Sequence, residues 1–162
     1  METESLRIRP MKRRDLSSVR KADRSTQAQP WTNKEWMICL AQKTTRTMVV
    51  EWRRMDIDYR SIIGFITIDI GNEIDILRIS VREKFRRCGV GTALLQEVRA
   101  LVFNDREPAI PEFETMSINV WSDDDAFDKF LRRNGFKAGY IKRNWLGSGS
   151  DVWVYQLRYK NE

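Results

Sequence analysis

The sequence contains no histidine. That excludes a Ser-His-Asp triad, an imidazole general base and an HExxH zinc site. Acid–base chemistry must fall to aspartate, glutamate, tyrosine, lysine, cysteine, a chain terminus or water. Cysteine is scarce too: only Cys39 and Cys88 occur, and their spacing fits neither a disulfide framework nor a zinc site. Two free thiols and no metal are expected. No apolar run approaches the length needed to span a membrane. The opening METESLRIRPMKRRD lacks the apolar core of a signal peptide, so a cytoplasmic protein with no membrane partner is expected. No internal repeat, low-complexity tract or Gly/Ser linker divides the 162 residues. One domain spanning 1–162 is the expectation.

What is present is charge, with a positive balance of +6. This permits nucleic acid, an anionic cofactor or an acidic partner and selects none of them. The densest basic clusters are MKRRD and REKFRR. No aromatic–basic RNA signature stands out, which sets nucleic acid behind the other partners.

The hydrophobic pattern reads as alternating elements. LRIRP (6–10) alternates like a short strand. KRRDLSSVRKAD (12–23) puts Leu16, Val19, Ala22 and Asp23 near helical spacing. Thr32 followed by Glu35 is a capping-box pattern opening a second helix to about Lys43. TMVVEWRR (47–54), IIGFITIDI (62–70) and EIDILRISV (73–81) read as strands, the last two joined by the hairpin signal Gly71-Asn72. On the third of these, Asp75, Leu77, Ile79 and Val81 share one face. A helix follows from about Val90 to Phe103, then a loop over 104–114 and a strand over 115–121. Ser122 or an aspartate after it caps the helix DAFDKFLRR, which Asn134-Gly135 stops. Two strands around a Gly/Ser turn close the chain. The order is that of an α/β domain around one sheet.

The most informative stretch is RRCGVGTALL, Arg86 to Leu95. It lies between the end of a strand and the start of a helix. A helix N-terminus presents unpaired N–H groups and partial positive charge. Glycine lets an anion approach the backbone and permits positive φ. Arg86 and Arg87 add attraction. Together these describe a pyrophosphate cradle, or a tight strand–helix turn with no ligand. A Walker loop fits poorly because Gly91 is followed by Thr-Ala. A dinucleotide fingerprint fits poorly too, with a third glycine missing and the position wrong.

The segment resembles the acyl-CoA-binding motif of the GNAT superfamily of N-acetyltransferases, R/Q-x-x-G-x-G/A, as Arg86-x-x-Gly89-x-Gly91. The element order resembles that family's fold from end to end. Pro30-Trp31-Thr32 with Trp36, NEIDILRISV, RRNGF and IKRNW resemble features of its RimI-like ribosomal-protein alanine N-acetyltransferases. The resemblance implies a GNAT fold: a mixed, mostly antiparallel sheet of about seven strands with about four helices. It implies acetyl-CoA as co-substrate and a primary amine as acceptor, a protein N-terminus or a small amine. It implies that the backbone of Arg86, Arg87, Cys88, Gly89, Val90, Gly91 and Thr92 holds the CoA pyrophosphate, and that Ile79, Ser80 and Val81 carry the pantetheine arm. Asp124 stands where many members have a CoA-contacting Asn. The acceptor, the acyl chain length and the choice of monomer or homodimer stay open.

The catalytic positions depart from that pattern. RimI-like enzymes place a Glu on the fifth strand; here it is Asn119. They place a Tyr on the last helix; here it is Leu131. Asp75 matches the strand position where the histone acetyltransferase branch carries its catalytic Glu, and Glu73 is the reserve. Tyr140, Tyr155 and Tyr159 are the available acids. The alternative is a domain that binds acyl-CoA and acts as a sensor or partner-binding module. Trp31 and Trp36 either line an acceptor groove or pack the second helix on the sheet.

Overall fold

In the computed structural model, residues 3–27, 29–71, 73–101, 115–121 and 124–158 are described. The loop expected over 104–114, Asn72 of the hairpin signal, Ser122 and Tyr159 lie outside them. The elements are β1 Glu4–Pro10, α1 Leu16–Thr26, α2 Asn33–Ala41, β2 Thr45–Arg54, β3 Tyr59–Ile70, β4 Ile74–Val81, α3 Val90–Arg99, β5 Thr115–Trp121, α4 Asp125–Arg133, β6 Lys137–Lys142 and β7 Val152–Arg158. The seven strands form one mixed sheet ordered β1-β2-β3-β4-β5-β7-β6. This is the expected α/β architecture. Strands β1, β2 and β3 begin a few residues earlier than their apolar pattern, because pairing carries polar residues along: Glu4 pairs with Arg54 and Ser5 with Arg53.

Two compact units share the chain, Met1–Ile68 with Arg78–Glu107, and Asp69–Leu77 with Pro108–Glu162. In the first, α1 and α2 cover β2 and β3. Val19, Ala22, Trp36, Val49, Ile62 and Phe65 form the cluster, ringed by Met11, Leu16 and Trp31. Trp36 is fully buried and meets Trp31 at 4.9 Å and Phe65 at 5.5 Å, edge to face. Such side chains stabilise by about 1.5–3 kcal/mol each on burial. Trp36 is therefore packing, as one of the two readings expected. The capping box forms: Thr32 Oγ1 accepts from the Glu35 N–H at 3.2 Å, and the Glu35 carboxylate accepts from the Thr32 N–H at 2.7 Å. Helix α3 buries Val90, Leu94, Leu95 and Val98, a stripe at helical spacing, and packs on β2.

Buried charge is paired in this unit. Arg9 donates to Asp15 at 2.7 and 2.9 Å and to Glu51 at 3.0 Å, and Arg53 donates to Glu51 at 2.5 Å.

In the second unit, β4 pairs with β5 in parallel over Ile74–Ile76 and Met116–Ile118. Strand β7 lies antiparallel to both β5 and β6, with an irregularity between Ala138 and Tyr140. Helix α4 is capped by Asp124, whose Oδ1 accepts from the Phe127 N–H at 3.1 Å. It buries Leu131, and Gly135 at φ +89° turns the chain after it.

Candidate functional site

The segment after β4 takes the form its sequence suggests. Residues Glu83–Phe85 make one 3-10 turn. Arg87 follows in the left-handed region at φ +60°, and Gly89, at φ +81°, is the N-cap of α3. The first helical bond runs from the Ala93 N–H to the Gly89 carbonyl at 2.9 Å. Among the described residues, the N–H groups of Arg87, Cys88, Gly89, Val90, Gly91 and Thr92 have no hydrogen-bond partner. Residues 86–89 are exposed. Alternating left-handed backbone followed by a helix start is a concave set of donors suited to an anion.

The loop is rich in cations. Arg82, Lys84, Arg86 and Arg87 have no carboxylate partner among the described residues. Arg86 instead donates from Nε to the Val81 carbonyl at 2.9 Å, tying the loop back to the strand end. The Phe85 ring meets Trp52 at 5.5 Å and anchors the turn from the other side. Cys88 is exposed and Cys39 buried, and neither is in a disulfide.

Within the same unit, Ile79 and Ser80 are buried and Val81 half-buried. The sheet is tight here. A Cβ on Gly64 of β3 would lie 2.8 Å from the Ser80 carbonyl oxygen. The C-terminal half of β4 also holds the connection between α1 and α2. The Thr26 and Ser80 hydroxyls are 2.5 Å apart, and Gln27 Nε2 donates to the Ile79 carbonyl at 3.1 Å.

The second unit holds Asp75, the expected base. Asp75 stands in register with Ser117, and Ser117 with Gln156, so the three share one sheet face. Asn119, Val154 and Tyr140 form a further row on that face. Parallel pairing ends at Ile76 and Ile118, leaving Leu77 and Asn119 unpaired with each other. Asp75, Asn119 and Tyr140 are exposed, and Ser117 is buried. Asp75 reaches solvent, yet protein crowds its carboxyl. This burial, with the charges of Glu73 and Asp69, raises its pKa above the ordinary value, against the opposing charge of Lys142.

The opposite face belongs to α4. There Tyr155 donates from Oη to Asp128, which also accepts from Arg132 at 2.9 Å. Burial and that carboxylate raise the Tyr155 pKa. Tyr155 is thus on the other side of the sheet from Asp75, and Tyr140 is the tyrosine that shares Asp75's face. Leu131 is fully buried. Asp124 serves the helix as its cap.

Sequence reasoning missed the partners of two residues. Asp23 is fully buried and accepts from Arg78 Nε at 2.8 Å and from the Trp31 N–H at 2.8 Å. Its place on the apolar stripe of α1 was the available signal. Asp69, which acts on Asp75, reads in sequence as the end of a strand.

A strand ending in a helix-capped donor loop, over a seven-stranded sheet, has a counterpart among known proteins. Residues 44–138 match the family model described as an acetyltransferase (GNAT) domain. The chain belongs to the GNAT acetyltransferases. No curated protein matches its sequence. Among solved structures, the ribosomal-protein-S18-alanine N-acetyltransferase of Escherichia coli is similar at 18% identity and a TM-score of 0.75, over 98% of this chain and 96% of that one. Arabidopsis thaliana NAA60, solved with a bisubstrate analogue, is similar at 16% identity and a TM-score of 0.78, over 95% and 98%. A GNAT family acetyltransferase from Elizabethkingia anophelis with acetyl-CoA bound is similar at 16% identity and a TM-score of 0.70, over 98% and 100%. At these identities the likeness is one of fold. The Elizabethkingia anophelis structure thus shows this fold with acetyl-CoA bound. No described helix is long and apolar enough to cross a membrane.

Proposed function

We propose that this GNAT domain transfers an acetyl group from acetyl-CoA to a primary amine, with a protein N-terminal amine as the first acceptor to try. The observation that carries the cofactor half is the run of N–H groups from Arg87 to Thr92, unpaired among the described residues, beside four cations without a carboxylate partner among those residues. A diphosphate supplies the charge and acceptor atoms that such a loop lacks. Ile79, Ser80 and Val81 carry the pantetheine arm in this reading, by main-chain pairing of the added-strand kind.

The chemistry assigned to the chain is direct transfer. The neutral amine nitrogen attacks the thioester carbonyl carbon, and the carbonyl electrons move to oxygen. As the carbonyl re-forms, the carbon–sulfur bond breaks and an amide and CoA thiolate result. Asp75 takes the proton leaving the nitrogen, directly or through water. Its raised pKa makes it a stronger base than an ordinary aspartate. Tyr140, on the same face, is the candidate to return a proton to sulfur. Asn119, having no acid–base capacity, serves as a hydrogen-bonding neighbour of the acceptor.

Release of free CoA thiol from acetyl-CoA over a panel of amines, including peptides with free N-termini, tests this. Amine-dependent release with an acetylated product is expected. Tight acetyl-CoA binding with no release for any amine would overturn transfer and favour a ligand-binding module.

A further inference from the structure

Arg82 and Lys84 draw an anion toward the donor loop by their charge, but their side chains also line a cleft of their own. Its volume is about 450 Å³, and it lies between the 3-10 turn Glu83–Phe85 and the ends of β2 and β3. None of the residues from Arg86 to Thr92 lines it, so it is separate from the row of main-chain donors. All its lining residues belong to the first compact unit.

Aromatic rings build one wall. Trp52 of β2 meets Tyr59 of β3 at 5.8 Å and Phe85 of the turn at 5.5 Å. Trp52 and Phe85 are half-buried, whereas Tyr59 is 49% exposed. A packed aromatic cluster with one ring open to solvent is a stacking surface for a further planar group.

The polar lining is of a different kind. The Lys84 ammonium lies 6.0 Å from the centre of the Phe85 ring. Arg82 donates from Nη1 to Ser61 Oγ at 3.4 Å, and the rest of its guanidinium fork has no side-chain partner among the described residues. The Ser25 and Ser61 hydroxyls add hydrogen-bonding atoms. Glu83 opposes with one carboxylate, against two cations. The surroundings favour an anion as well: the first unit carries the whole positive excess of the chain, the second being net acidic. A purely apolar ligand leaves the cations unused, and a bare anion leaves the rings unused. A planar base carrying a phosphate uses both, with the ring on the aromatic wall and the phosphate on the guanidinium fork. The volume is of the size that encloses one small ligand. The sequence shows no aromatic–basic run because these residues come from separate segments, which only the sheet brings together.

We propose that this cleft binds a nucleoside phosphate, at a site distinct from that of acetyl-CoA. The proposal stands independently of the transferase reading. Wild-type protein saturated with CoA is titrated with adenosine 5′-monophosphate and followed by tryptophan fluorescence, so that the donor loop is already filled. Saturable binding is expected. Adenosine alone and inorganic phosphate alone bind at least about tenfold more weakly, since each forfeits half of the contacts. Tyr59→Ala removes a half-exposed ring and raises the nucleotide Kd at least about fivefold, as loss of a stacking partner does. Its CoA Kd stays within about twofold of wild type. Lys84→Ala, at an exposed position, also weakens the nucleotide and flattens the salt dependence of its binding. A short oligoadenylate tested in parallel distinguishes the source of the ligand: much tighter binding than the mononucleotide assigns a strand, and equal binding a free nucleotide. Absence of saturable binding overturns the proposal. So does binding that vanishes once CoA is bound, or a nucleotide Kd that neither variant changes. If CoA itself does not bind, the cofactor reading falls, and the same titrations on the free protein decide this one.

Discussion

Asp75 of β4 and Ser117 of β5 stand side by side on neighbouring parallel strands, on the same face of the sheet. The pairing stops one residue later, at Ile76 and Ile118. The carboxylate with a raised pKa thus sits at the end of the paired stretch, among Ser117, Asn119 and Tyr140, on the face that α4 does not cover.

Replacing Asp75 by Asn removes the assigned base while keeping its shape. The expected result is a fall in kcat/KM of roughly a hundredfold or more, with the acetyl-CoA Kd unchanged. Asp75 works as the ionised form. Its raised pKa moves the rising limb of the pH–kcat/KM profile above the ~3.9 of an ordinary aspartate. That limb is lost in Asp75→Asn. Parallel profiles for the two proteins would assign the base elsewhere.

Gly89 sits at φ +81° as the cap of α3. A β-branched residue is strained there by roughly 1–2 kcal/mol, and Asn tolerates the conformation better. Gly89→Val is expected to weaken acetyl-CoA binding by at least about tenfold, the equivalent of ~1.4 kcal/mol. Gly89→Asn should fall between it and wild type. Calorimetric titration of the three proteins checks the order.

Gly64 acts at a distance in sequence. A methyl group there meets the Ser80 carbonyl oxygen at 2.8 Å, and main chain cannot swing aside as a side chain does. Gly64→Ala should lower stability by about 1–3 kcal/mol through overpacking. If the Ile79–Val81 stretch holds the pantetheine arm, it should also raise the acetyl-CoA Kd. Urea unfolding and ligand titration on the same sample measure both.

The Arg9 network gives a pH dependence of stability. Hydrogen bonding to Arg9 lowers the Asp15 pKa. Burial pushes Glu51 up, but the hydrogen bonds from Arg53 and Arg9 outweigh it and leave that pKa lowered too. Carboxyls lowered by folding contribute fully above their unfolded values of about 4, and the contribution is lost as pH falls through the folded ones. The urea midpoint should therefore drop below pH ~4. Arg9→Met takes the ion-pair partner from buried Asp15 and leaves Glu51 with Arg53 alone, a cost of roughly 3–5 kcal/mol at pH 7. Its midpoint should depend less on acid than that of the wild type.

Much of this fold was legible because local signals agreed with the tertiary outcome. Thr32 and Glu35 announced a helix start that forms with both reciprocal bonds. The strand ending at Val81 and the glycines after it marked the donor loop. Strand starts were less legible, because pairing and not apolar pattern extends β1 to Glu4 and β3 to Tyr59. Side-chain partnerships were not legible at all. Nothing in the spacing of Asp23, Trp31 and Arg78 brings them together; only the packing of α1 on the sheet does. The tyrosines illustrate the same limit. Tyr140 and Tyr155 were equivalent candidates until strand register put one on the face of Asp75 and the other under α4.

Calorimetric titration of acetyl-CoA into the wild-type protein and into Gly89→Val tests the diphosphate loop most directly. Saturable binding by the wild type, weakened at least tenfold in the variant, is the outcome expected of main-chain donors between Arg87 and Thr92 that grip the cofactor. No binding by the wild type, or equal affinity in both proteins, contradicts it.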